Sequence, residues 1–159
     1  MIAHILTAVA LATLTPDGLG PVKIGMTRAQ VEQALGAALE GEPAQNQQTC
    51  IEMSPPGRDR GLSFVFEKFR LARISVTAPS RATTSRGIRI SAHASAVHRA
   101  YGQFLRMHPK FDHIPGAAED LVYWPRGAKA GLRFIIGGDR RVTAILAGTD
   151  SIYLVEGCE

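Results

Sequence analysis

Cysteine is nearly absent from this chain. Cys50 and Cys158 are the two it has, 108 residues apart, with no CxxC and no Cys/His metal spacing near either. That excludes a cysteine-built metal centre and a vicinal dithiol. A G-x-S-x-G turn is missing, so a nucleophile elbow is not expected. No G-x-G-x-x-G and no phosphate loop occur either, and no pair of acids is isolated in an apolar context. Four of the five histidines, His93, His98, His108 and His113, are spaced by five, ten and five. None of them makes the i, i+4 pair that puts two ligands on one helical turn. Catalysis, a metal and an organic cofactor therefore all lack support, and the expectation is a protein that is not an enzyme. There is also no Lys/Arg run with interleaved aromatics, so nucleic acid is not an expected partner.

A long hydrophobic run is lacking too. Residues 5–12 are almost wholly apolar but far too short to span a bilayer, so no integral membrane span is expected. Small residues at Ala8, Ala10 and Ala12 fit a cleavage pattern, and "TLTPDGLG" follows as the start of a mature chain would. We expect residues 1–12 to form a signal peptide, although the stretch carries no basic n-region. A buried first strand or helix is the alternative. Export gives the cysteines a role: in an oxidising compartment Cys50 and Cys158 are expected to pair. In a reducing one they would be two unrelated buried thiols. The localisation expected is periplasmic or secreted.

What the chain does have is a pattern written twice. "VKIGMTRAQVEQALG" (22–36) is answered by "IRISAHASAVHRAYG" (88–102), with Val22 on Ile88, Val31 on Val97 and Gly36 on Gly102. "GLSFVF" (61–66) is answered by "GLRFII" (131–136), and Ile74 falls on Ile145. Thr27 with Gln30 has the spacing of a capping box, and Gly36 suits a left-handed C-terminal position. His93 or Ser95 takes the capping role in the second copy. Leu62/Phe64/Phe66 and Leu132/Phe134/Ile136 alternate as strands do. "GGDR" (137–140) reads as a hairpin turn in which glycine supplies positive φ. The expected organisation is unit 1 over 13–78 and unit 2 over 79–159, each a helical segment packed on its own antiparallel sheet, an α+β fold of two tandem repeats.

"LGPVKIGMTRAQVEQALG" is similar to the opening of the small exported domains of the BamE (SmpA/OmlA) family of outer-membrane assembly lipoproteins. The tandem arrangement resembles the β-lactamase inhibitor protein (BLIP) fold. The resemblance covers nearly all of residues 18–157, and its close matches are the helix segments and the paired strands. Residues 91–93, "SAH", depart from the usual turn, and no cysteine follows the apolar run to carry a lipid. The resemblance implies a binding module whose sheet face meets another protein.

Charge and aromatics place that face. Residues 13–78 carry seven acidic and seven basic side chains, whereas 79–159 carry seven and eleven. Tyr101, Phe104, Phe111, Tyr123 and Trp124 crowd the second half. Tyr123 and Trp124 are adjacent, so on a strand they point to opposite faces. Trp, Tyr and Arg are the residues of binding hot spots. The expected surface is bordered by Tyr123, Trp124, Arg126 and Arg133. The function expected is a non-enzymatic protein-binding module, an inhibitor or immunity-type partner of an envelope or extracellular enzyme. The alternative is a structural accessory of envelope assembly.

Overall fold

A computed structural model describes residues 12–41, 49–57, 61–108 and 120–154, and for Met107 and His108 the backbone alone. Residues 1–11 of the expected signal peptide, Cys158, Phe111 and His113 lie outside the described residues.

Three short strands, β1 (Thr13–Thr15), β2 (Gly18–Leu19) and β3 (Val22–Lys23), open the fold. They form antiparallel neighbours, and β7 (Thr83–Thr84) adds to β1 in parallel, Thr13 opposite Thr83. The chain then enters α1 (Arg28–Leu35). The capping box forms: the Gln30 N–H donates to Thr27 Oγ1 at 3.3 Å and the Thr27 N–H to Gln30 Oε1 at 2.9 Å. Gly36 ends the helix at φ +68°, and Val31 and Leu35 are its buried residues. The second helix, α2 (Ala94–Tyr101), is capped by His93, whose Nδ1 accepts from the Ser95 N–H. It buries Val97 and Tyr101 and continues into a 3-10 turn, η1 (Gly102–Phe104).

The remaining strands are β4 (Cys50–Met53), β5 (Leu62–Glu67), β6 (Arg70–Thr77), β8 (Leu105–His108), β9 (Asp120–Tyr123), β10 (Gly131–Ile136) and β11 (Val142–Gly148). They build one antiparallel sheet in the order β4-β5-β6-β11-β10-β9-β8. A second 3-10 turn, η2 (Asp150–Tyr153), follows β11.

This corrects the expected fold class. Strand makes up 42% of the described residues and helix 19%, so the molecule is mostly β and not two helix-on-sheet repeats. The physical reason lies at the middle of the large sheet. β6 and β11 pair with each other, Val76 opposite Ile145 and Ile74 opposite Ala147. Two edges that separate units would have left open satisfy each other's backbone groups. Each α-helix is eight residues long, too short to form a helical layer over a sheet of its own. At this junction Gly148 has φ +153°, and a Cβ on it would run into the Ala72 carbonyl oxygen.

The core follows from strand alternation. One face of the large sheet presents Phe64, Ile74, Leu132, Phe134, Ile145 and Ala147. Leu14, Leu19 and Val22 of the small sheet, Val31 and Leu35 of α1, and Val97 and Tyr101 of α2 pack against it. The opposite face holds a smaller cluster of Val122, Leu146 and Ile152, with Trp124 and Ile135 against it.

Candidate protein-binding surface

The four residues expected to border a binding surface lie on both faces of the sheet and in a turn beyond β9. Tyr123 belongs to the main core face, where its ring lies 4.7 Å from that of Tyr101. The Arg86 guanidinium sits over both rings, 4.8 Å from the centroid of Tyr101 and 5.1 Å from that of Tyr123. Burial pushes the Tyr101 hydroxyl above its ordinary pKa. Trp124 lies with the cluster on the other face. Its indole N–H donates to the Ala128 carbonyl at 2.9 Å, and its ring stacks on Tyr153 at 6.3 Å. Gly131 makes room for it, since a Cβ there would strike the indole. Arg126 is exposed in a turn beyond β9, so no continuous strand carries it onto the face of Trp124.

Arg133 requires a correction of its own. Alternation turns it away from the main core, but it is only 5% exposed. Its Nε and Nη2 donate to Asp120 Oδ2 at 3.0 and 2.8 Å, and its Nη1 donates to the Ile152 carbonyl at 3.0 Å. Asp120 Oδ1 meanwhile accepts from the Ile136 N–H, where β9 no longer reaches. Arg73, also buried, donates to the Ser151 carbonyl at 3.0 Å. Burial pushes the Arg73 guanidinium down from its ordinary pKa, with Glu52 and Glu67 opposing and Arg133 reinforcing the shift. These two arginines clamp η2 over the sheet and are spent on the fold. Cys50 is 8% exposed at the start of β4 and is not a free thiol, while its expected partner Cys158 is outside the described residues.

The most exposed large apolar side chain described is elsewhere. Phe69 is 73% exposed at the tip of the β5–β6 hairpin. Glu67 pairs with Arg70, so the loop between them has two residues, Lys68 and Phe69. Their φ values are +47° and +65°. A two-residue loop with both φ positive is the type I′ turn that suits twisted strands, and it favours Asn-Gly. Lys and Phe have Cβ atoms that make this conformation costly, by roughly 1–2 kcal/mol per residue. By contrast, the Gly137–Arg140 turn puts positive φ on Arg140 and not on its glycines.

The tip is held firmly. The Lys68 N–H donates to the Thr49 carbonyl at 2.7 Å. The Leu71 N–H donates to Met26, and the Gly25 N–H to Leu71, both at 2.8 Å. Arg70 Nη1 donates to the Gly25 carbonyl at 3.3 Å. The hairpin is thereby tied to the segment that leads into α1.

Beside Phe69 lies a groove of about 390 Å³. Ile51, Met53 and Phe66 line its floor, and Thr27, Arg28 and Ala29 at the start of α1 form a wall. Its volume is near the lower end of the roughly 300–1,000 Å³ of ligand pockets. Arg28 is fixed against Glu32 at 2.9 Å and also donates to the Leu39 carbonyl. Glu32 is held below the usual carboxylate range, first by the Leu39 N–H and then by Arg28, with burial opposing. A convex aromatic on an anchored backbone, next to an apolar hollow, can recognise a shaped apolar group.

Composition hides Phe69, because aromatics cluster in the second half. The available signal is local: alternation in 62–67 and 70–77 leaves two residues to turn the chain, and neither is Gly, Asn or Asp.

Among the described residues no group of three or more His, Cys, Asp and Glu could hold a metal ion. No described helix is long and apolar enough to cross a membrane. Comparison with protein families, curated proteins and solved structures finds no match for this chain.

Proposed function

We propose that this chain is an exported, non-enzymatic protein-binding module that engages its partner through the β5–β6 hairpin tip and the adjoining apolar groove. The observation that carries the reading is Phe69, 73% exposed in a positive-φ turn that a smaller residue would fill better. Backbone strain concentrated at an exposed aromatic points to function more than to stability. Anchoring of the tip supports it, because a preorganised surface loses little entropy on binding. Export rests on the apolar 5–12 segment and on Cys50 not being a free thiol. An inhibitor or immunity-type role is the form of binding we favour.

Site-specific photo-crosslinking tests it. Benzoylphenylalanine at position 69 should trap a discrete protein from envelope or culture extract. The same probe at the exposed Thr143, on β11, should not. Equal trapping at both positions, or none at 69, would remove the hairpin tip as the binding element.

A further inference from the structure

The chemistry of the partner follows from what surrounds Phe69, and this step rests on the reading just given. Lys68 and Arg70 flank the ring, both exposed, and no ion pair among the described residues involves either. Arg28 stands on the groove wall. Of the local acids, Glu32 is paired with Arg28, and Glu67 lies opposite Arg70 in the strand register, leaving one acid against the two cations of the tip. An apolar centre is thus rimmed by cations.

Three occupants can be weighed. A second copy of this chain would set this net-positive patch against itself, because a two-fold interface uses the same patch on both subunits. Like charges there oppose association. An anionic bilayer would suit the Lys-Phe-Arg tip but would leave the hollow beside it unfilled, since lipid accepts projecting side chains and presents none. A protein segment with a projecting apolar side chain between carboxylates satisfies hollow and rim together.

We infer that the groove beside Phe69 takes one aromatic or branched aliphatic side chain of a partner protein, presented between acidic residues. Phe69 packs on that side chain, and Lys68 and Arg70 meet the flanking carboxylates.

Three capped pentapeptides test this on the full chain by ¹H–¹⁵N NMR: Asp-Glu-Phe-Glu-Asp, Lys-Arg-Phe-Arg-Lys and Asp-Glu-Gly-Glu-Asp. The first should shift the amides of Ala29, Ile51, Phe66 and Phe69. The other two should bind at least about tenfold more weakly, the equivalent of about 1.4 kcal/mol. Lys68→Glu should lower the affinity for the first and raise it for the second. Vesicles of phosphatidylglycerol and phosphatidylcholine form the fourth arm. Equal binding of the two phenylalanine peptides overturns the acidic requirement. Equal binding of the glycine peptide overturns the apolar one. Perturbation of the tip by vesicles alone, or of the groove by no peptide, overturns the inference altogether. Crosslinking from position 69 would still succeed if only the partner's chemistry were wrong, so the two failures are distinguishable.

Discussion

Arg133 and Asp120 show how much a single residue's neighbours decide. Alternation in "GLRFII" says which face Arg133 occupies. It does not say that η2, formed by residues well beyond the strand, covers that face and receives its hydrogen bond. A surface cation therefore becomes a buried structural one. Removing its counter-charge leaves an uncompensated buried guanidinium, which typically costs about 3–5 kcal/mol. Asp120→Ala should lower stability by about that much in urea denaturation, and it also removes the acceptor that Oδ1 offers to the Ile136 N–H. The double variant Asp120→Ala/Arg133→Met should recover part of the loss, because no charge is then left unpaired. Trp124 teaches the same lesson: an adjacent Tyr-Trp pair reveals opposite faces, but not that Gly131 and Tyr153 occupy the indole.

At the scale of elements the helix signals were legible because they are local. Thr27 and Gln30 act within one turn, Gly36 closes the other end of the same short segment, and the helix they bound runs over Arg28–Leu35. The alternating apolar residues of β5 and β10 likewise announce their buried face. The way these elements join was not legible, because strand pairing connects residues about seventy positions apart. α1 also carries a pH-sensitive contact. Glu32 is depressed in the folded protein, so its carboxylate contributes stability above the unfolded value, about 4.3. That contribution is lost as pH falls through the lower folded value. The Leu39 amide resonance should therefore titrate with an inflection below the ordinary glutamate range. Glu32→Gln should abolish that inflection, and an inflection at or above the ordinary range would contradict the contact.

On the whole-molecule scale, pairing of β6 with β11 makes one sheet of seven strands, and the small sheet and both helices share its buried face. The repeat in the sequence reports equivalent apolar faces, not separable units. A bond between Cys50 and Cys158 would close a 108-residue loop around this sheet. The chain-entropy account gives such a loop roughly 4–5 kcal/mol. Protein recovered from an oxidising compartment should show no titratable thiol when unfolded without reductant. Two titratable thiols would refute the bond and weaken the case for export.

The most direct measurement concerns whether Phe69 serves the fold at all. Phe69→Gly relieves roughly 1–2 kcal/mol of left-handed strain. It adds roughly 0.5–1 kcal/mol of unfolded-state entropy and removes little buried area, the ring being mostly in solvent. Equilibrium urea denaturation should show Phe69→Gly to be more stable than the parent by about 0.5–1 kcal/mol, its midpoint raised at unchanged m. A binding residue kept against the interest of the fold behaves in that way. A midpoint below the parent's would show that Phe69 supports the structure and would contradict the hairpin tip as a recognition element.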